Sequence, residues 1–212
     1  MAQDHAVPET PDIVIGNTTL KYAAKNPAIR FLTERWLANL ARVVDQVAAD
    51  PRGEPKRVLE VGCGEGVIAD RLRRRFPEVA ALDLPDAGLR SWWRDNHAGP
   101  SYLHADAHHL PFEDGEFDLV VSVEVLEHLA DPERGLREMA RVSSRHMIFS
   151  VPREPVFRGC NLLAGRYVSD LGNTPGHLNH WSKRSFTRFV GTVADVRGVT
   201  APFPWTTVWA SH

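Results

Sequence analysis

The stretch Val58-Leu59-Glu60-Val61-Gly62-Cys63-Gly64-Glu65-Gly66 constrains this chain more than any other. Val58, Leu59 and Val61 form a short apolar run of the kind found in strands buried on both faces, where strict alternation is lost. Three glycines at alternate positions follow. Glycine accepts positive φ and carries no Cβ, so Gly62, Gly64 and Gly66 let the backbone turn sharply and approach a ligand closely. Helix-forming sequence from Gly66 to Phe76 then aims a partly positive N-terminus at the same place. Strand, glycine turn and helix in that order predict an α/β sheet with a ligand at its strand ends. The spacing departs from G-x-G-x-x-G, because Val67 stands where the third glycine would fall, and this argues against a hydride-carrying dinucleotide.

The remaining elements follow from punctuation and periodicity. Phe31, Leu32, Trp36, Leu37, Leu40, Val43, Val44 and Val47 recur at helical spacing, predicting a long helix from Pro27 to about Ala49. A shorter helix carrying Tyr22 and Lys25 would precede it. Arg71, Arg73, Arg74 and Arg75 read as the solvated side of a surface helix. Val79–Asp83, Ser101–His104, Leu119–Val123 and Met147–Val151 read as strands, and Pro85 to about Asn96 as a helix. Asp131-Pro132-Glu133 has the form of a helix start, and Ser182 caps a helix to about Gly191. Ala194–Val199 and Trp205–Ala210 supply the last strands. The span 152–181 is rich in Pro, Gly and Asn and reads as a long loop, of the kind that usually serves a function.

Composition narrows the classes. The 212 residues are 43% hydrophobic and 25% charged, enough for one sizeable core. The formal net charge of −2 gives no global attraction to nucleic acid or to a membrane. Cys63 and Cys160 are too few for a disulfide framework, which fits a reducing, cytoplasmic location. No apolar run approaches the roughly 20 residues of a membrane span, and the start of the chain lacks the form of a signal peptide. Asp83 closes the second strand about 20 residues after Gly62, where nucleotide-binding sheets place the acid that bonds both ribose hydroxyls.

The run Glu60 to Gly66 resembles motif I of the class I S-adenosylmethionine-dependent methyltransferases. Phe117-Asp118-Leu119-Val120, leading to Glu124-Val125-Leu126-Glu127-His128-Leu129, resembles the fourth strand and following turn of the same family. That turn is widespread in its type 11, ubiquinone-biosynthesis-like group. The resemblance implies a Rossmann-like seven-stranded sheet, mostly parallel, with helices on both faces and the last strand antiparallel. It implies S-adenosyl-L-methionine as cofactor. Glu60, Gly62, Cys63, Gly64 and Gly66 would line its methionine end, Asp83 and Leu84 its ribose, and Asp106 and Ala107 its adenine. Val123 and Glu124 would complete the site. The chain would divide into a flexible tail at 1–17 and one domain at 18–212, with N-terminal helices at 18–49, a core at 56–151, a lid at 152–181 and a C-terminal helix and strands at 182–212. Where many relatives carry Lys-Pro-Gly-Gly before the fifth strand, this chain has Val142-Ser143-Ser144-Arg145-His146.

The family's chemistry needs positioning and, for a hydroxyl nucleophile, a base. His128, His177 and His180 are the candidates. The expected acceptor is a small molecule bound between the N-terminal helices and the lid, with nucleic acid not expected and the oligomeric state open. Two alternatives remain. Glu124, Glu127 and His128 fall on one side of a helical turn, and with His177 they could hold a divalent cation such as Mg²⁺ or Mn²⁺. That set is similar to the metal site of the small-RNA 3′-terminal 2′-O-methyltransferases, although no basic stripe for a phosphate backbone accompanies it here. A non-catalytic cofactor-binding or docking module is the other.

Overall fold

A computed structural model describes residues 26–96 and 99–212. Tyr22, Lys25 and the expected tail lie outside the described residues. Among those described, seven strands form one sheet in the order β3-β2-β1-β4-β5-β7-β6. They are β1 (Arg57–Val61), β2 (Glu78–Asp83), β3 (Ser101–His104), β4 (Phe117–Val123), β5 (Ser143–Pro152), β6 (Asp195–Thr200) and β7 (Trp205–Ser211). All neighbouring pairs from β3 to β5 are parallel, and β7 runs antiparallel to both β5 and β6. The expected sheet, with its reversed last strand, is the observed one.

The helices are α1 (Pro27–Ala48), α2 (Val67–Arg73), α3 (Ala87–Asn96), α4 (Pro132–Val142), α5 (Val156–Leu163) and α6 (Lys183–Val190). Three of them begin on side-chain caps, of which the sequence predicts those at Asp131 and Ser182. Asn26 accepts from the N–H groups of Ala28 and Ile29, Asp131 from Arg134 and Ser182 from Ser185, bonds each worth about 1 kcal/mol. The two sides of β5 show how strand periodicity builds two cores. Met147, Phe149 and Val151 face one cluster with Leu136 and Met139 of α4 and Phe186 of α6. Ile148 faces the other, with Trp36 and Leu40 of α1 and Ile68 and Leu72 of α2. Helices therefore cover both faces, and α3 packs beside α2 through Trp93 and Ala69.

Two elements differ from the sequence reading. β5 begins at Ser143, directly after α4, and not at Met147. Its first residues are polar, but Ser143 and His146 are buried, and His146 faces Asp50 at 3.1 Å. The span 152–181 is not all loop, because α5 forms within it. Eight residues are too few for periodicity to stand out against their Pro, Gly and Asn surroundings. Among the described residues no helix is long and apolar enough to cross a membrane.

The strand order reverses between β1 and β4, because the chain leaves β1 toward β2 and β3 and returns to β4 on its other side. In an open α/β sheet the crevice at that point, beyond the carboxyl ends of the strands, is where ligands bind. At the opposite end, where Arg57 starts β1, a groove of about 700 Å³ is lined by Arg57, Phe112, Glu116, Glu138 and Arg141. Its charges pair internally, Arg141 with Glu138 and Asp114 and Arg57 with Glu116. We assign it a structural role.

Candidate functional site

The glycine turn is tied to β2 by its own backbone. The N–H groups of Gly62 and Cys63 both donate to the carbonyl of Leu82, at 2.8 and 2.9 Å. Gly62, Gly64 and Gly66 adopt φ of 76, 50 and 87°, the left-handed region that favours glycine. A Cβ at Gly62 would overlap the side chain of Val125, and one at Gly66 the hydroxyl of Tyr102. Two neighbouring strands thus press on the turn, β3 through Tyr102 and the segment after β4 through Val125.

Beneath the turn, Glu60 is 2% exposed, and its Oε2 has no hydrogen-bond partner. Burial, reinforced by the nearby carboxylate of Asp83, pushes its carboxyl well above the ordinary 4.5, while the Ala69 N–H pulls the other way. Asp83 accepts from the Gly64 N–H at 2.6 Å and from its own neighbour, the Leu84 N–H, at 2.8 Å. Burial raises its pKa against the pull of those two donors. Burial also raises Cys63, beside Glu60 and Asp83, so its thiol is a packing group and not a nucleophile.

The far side of the turn is aromatic. Trp93 donates its indole N–H to the Gly64 carbonyl at 2.7 Å and stacks on Tyr102 with ring centroids 4.9 Å apart. His104 bonds the Leu84 carbonyl at 3.0 Å through Nδ1. Asp106 follows β3, accepting from the N–H and ring of His108 at 2.9 and 2.7 Å, and Ala107 beside it is buried. Burial pushes Asp106 up, but the His108 bonds and the nearby Arg134 outweigh it and leave its carboxyl below the usual range.

Glu124 follows β4 with φ of 57°, an uncommon conformation for a non-glycine residue. Its carboxylate accepts from the Trp205 indole at 2.6 Å, and its N–H donates to the Ser150 carbonyl. Leu126–His128 then make one 3₁₀ turn. The 152–181 segment is fastened to that turn. The N–H groups of Leu178 and Asn179 donate to the Glu127 carbonyl at 2.8 and 3.0 Å, and Asn179 Nδ2 donates to the carbonyls of Leu126 and Leu129. Fastening brings His177 against His128, with ring centroids 4.9 Å apart, and Glu127, His128 and His177 each offer a ligand atom within 4.8 Å of the others. Glu124 is not one of that group, and His180 is exposed, with its ring on Asn173 at 2.7 Å.

Of the residues singled out from sequence, Glu60, Cys63, Gly62, Gly64 and Gly66 share the turn with Asp83 and Leu84. Val123, the last residue of β4, and Glu124 stand across it, and Asp106 with Ala107 follows β3. Sequence reasoning missed Trp93, Tyr102, Val125, Asn179 and Trp205. Tyr102 carried the one available signal, since it lies at a β3 position paired with Ala81. The others meet the site through contacts that no local pattern encodes.

Glycine turn, buried acid, second-strand acid and doubly wound sheet are together the features of a class I S-adenosylmethionine-dependent methyltransferase domain, and the comparisons support that class. Residues 59–149 match the family model described as a methyltransferase domain. A probable S-adenosylmethionine-dependent methyltransferase of Mycobacterium tuberculosis is 32% identical over 163 residues, 71% of this chain and 59% of that protein. A malonyl-[acyl-carrier protein] O-methyltransferase of Geobacter sulfurreducens is 39% identical over 102 residues, 46% of this chain and 38% of that protein. The chain therefore spans about two fifths to three fifths of these relatives' lengths. In fold it is similar to the magnesium protoporphyrin IX methyltransferase of Synechocystis with SAH bound, at a TM-score of 0.63 and 17% identity, covering 88% of each chain. The family's cofactor is S-adenosyl-L-methionine. Its cationic methionine end suits a crevice that holds Glu60, Asp83 and Glu124, and the orphaned Glu60 oxygen is an acceptor awaiting a donor.

Proposed function

We propose that this chain transfers a methyl group from S-adenosyl-L-methionine to a small-molecule acceptor. When bound, the cofactor supplies an electrophilic methyl carbon on a sulfonium. Glu60 and the glycine turn would hold its amino-acid end, Asp83 its ribose hydroxyls, and Asp106 with the Ala107 N–H its adenine. The protein's share of the chemistry is then positioning, which can supply several kcal/mol of the barrier, about 7–11 at the upper limit.

The observation that carries the reading is the convergence of Glu60, Gly64 and Asp83 at the β1/β4 switch point, joined by the 2.6 Å bond from Gly64 to Asp83. A small acceptor is supported by the lid fastened across the end of β4 through Glu127, and by a net charge of −2 that gives a polyanion no general attraction. A cytoplasmic location fits the two free cysteines.

Titration calorimetry with S-adenosylhomocysteine tests the cofactor site. The chain should bind it, and Asp83→Asn should weaken binding by about 10- to 150-fold, the worth of a charge-assisted bond. Unchanged affinity in the variant would remove Asp83 from the site. Transfer of isotopically labelled methyl to a panel of hydroxyl, amine and carboxyl acceptors then separates an enzyme from a docking module, which would transfer none.

A further inference from the structure

We propose that residues 162–171, with the start of α6, form an apolar and basic face that docks this chain on an anionic lipid surface. The face stands on geometry and charge alone. Only its consequence for the acceptor rests on the methyltransferase reading above.

Exposed apolar side chains are concentrated here. Among the described residues nine large hydrophobic side chains are exposed, and four of them, Leu162, Leu163, Val168 and Leu171, fall between positions 162 and 171. Leu163 is 92% exposed and Leu171 68%. Leu162 lies against Gly172, the neighbour of Leu171, so the two ends of the stretch meet. Single exposed leucines need no explanation, whereas a contiguous group marks a surface for a partner.

The backbone holds the group outward. The buried Asn161 donates through Nδ2 to the Gly172 carbonyl at 2.9 Å and to Thr174 Oγ1 at 3.1 Å. Its own carbonyl accepts from the Arg166 N–H, and the Gly172 N–H closes on the Tyr167 carbonyl, each at 2.8 Å. Between them Val168–Asp170 make a 3₁₀ turn, flanked by Tyr167 at φ 52° and Leu171 at φ 50°. A residue with a Cβ adopts that left-handed region only at a cost. Strain and apolar exposure in the same stretch suit a presented surface and not a plain connection.

Charge selects the partner. Residues 152–184 hold five Lys or Arg and two Asp or Glu, a local +3 within a chain of net −2. Among the described residues Arg153, Arg158, Arg166, Lys183 and Arg184 enter no ion pair, whereas Arg57 and Arg141 elsewhere are paired. Both acids are engaged locally, Glu154 by the Arg158 N–H and Asp170 by the Ser169 hydroxyl. The Glu154 N–H donates to the Trp181 carbonyl at 2.8 Å, which sets the start of α6, with the exposed Lys183 and Arg184, beside the beginning of the segment. The Arg166 guanidinium lies over the Tyr167 ring at 5.3 Å. Leucines, a tyrosine and unpaired cations together match an anionic leaflet, where apolar side chains enter the acyl boundary and each nearby cation strengthens binding roughly fivefold. Nucleic acid would use the cations and leave the aliphatic side chains in water. A second copy of the chain, packed face to face, would set like charges together.

The segment is tied to the turn after β4 through Leu178 and Asn179, so the face stands at the carboxyl end of the parallel strands. On the methyltransferase reading, transfer then takes place beside the bilayer, and a lipid-soluble acceptor reaches the crevice directly.

Co-sedimentation of the full-length chain with vesicles tests the face. Phosphatidylcholine vesicles with about 30% phosphatidylglycerol should bind it about tenfold or more tightly than phosphatidylcholine alone, and salt should weaken the binding. Leu163→Asp should weaken it about tenfold or more, as should Arg166→Glu combined with Arg184→Glu, while Trp92→Ser, at an exposed aromatic of α3, should not. Unchanged thermal melts show that each variant is folded. Failure of the wild-type chain to bind either vesicle would overturn the proposal, as would binding that Leu163→Asp leaves intact, which is charge attraction alone. Dimerisation that Leu163→Asp disperses, without vesicle binding, would assign the face to a second copy and overturn it likewise. If S-adenosylhomocysteine binds and vesicles do not, only this proposal fails. If vesicles bind and S-adenosylhomocysteine does not, the methyltransferase reading fails and the docking face stands.

Discussion

The indole N–H of Trp205 donates to the Glu124 carboxylate at 2.6 Å, across 81 positions of sequence. The bond joins the reversed strand β7 to the turn after β4, and Trp205 also stacks on Trp36 of α1 at 5.0 Å. One residue therefore links α1, the sheet and the turn after β4. Trp205→Phe keeps an aromatic ring there and removes the donor. It should cost about 1.5–3 kcal/mol, the range for a bond to a charged group. Urea denaturation should show a lower midpoint with an unchanged slope.

Gly62 tests the cradle. A methyl there meets Val125 and a backbone at φ 76°. The left-handed conformation costs a residue with a Cβ about 1–2 kcal/mol, and overpacking typically adds 1–3 kcal/mol. Gly62→Ala should therefore destabilise the fold and weaken S-adenosylhomocysteine binding. Adding Val125→Ala should restore the packing share and leave the backbone share, so the double variant should melt between the wild type and the single variant. A double variant no better than the single would show that Val125 is not the obstacle.

Glu60 predicts a pH dependence with a definite sign. Its folded pKa lies well above its ordinary 4.5, chiefly through burial. The folded state without cofactor favours the neutral acid, so this group's contribution is full below about pH 4.5 and is lost as pH rises through the folded value. Glu60→Gln removes that loss. In thermal melts without cofactor the variant should gain on the wild type as pH rises above about 4.5, while binding the cofactor more weakly for want of an anion. Parallel stability curves for the two proteins would contradict this.

Asn179 fastens the lid from its inner end, with Nδ2 at 3.2 Å from the Leu126 carbonyl and 2.7 Å from that of Leu129. Asn179→Ala leaves both carbonyls without this donor, at a local cost of about 1–3 kcal/mol. Hydrogen exchange at the amides of Leu178 and Asn179 should then quicken by about ten- to a hundredfold, with α4 unaffected. Exchange at the wild-type rate would mean that the backbone bonds to Glu127 hold the lid unaided.

Much of this was legible in the chain. Strands such as Val58–Val61 and Leu119–Val123 are apolar enough to announce themselves, and the glycines mark the turn by what they lack. Asp83 was placed by counting, because a βαβ unit of ordinary length returns its second strand end to the same level. Three kinds of feature were hidden. The polar start of β5 is strand because parallel pairing with β4 and burial outweigh propensity, with Phe117 facing Ser143 in the register. Helix α5 is too short to show a period. Trp205 and Asn179 act through distant partners, and their identities as an indole donor and an amide fork gain meaning only once topology brings Glu124 and Leu129 beside them.

The lid meets the turn after β4 partly through main-chain groups, with the Leu178 and Asn179 N–H groups on the Glu127 carbonyl. A peptide group is present whatever side chain it bears. Leu178 is 61% exposed, so its side chain can be exchanged while the same bond is made. Descendants of this chain can therefore alter this exposed surface by single substitutions without unfastening the segment. The attachment is inherited through the backbone, and the side chain above it is left free to drift.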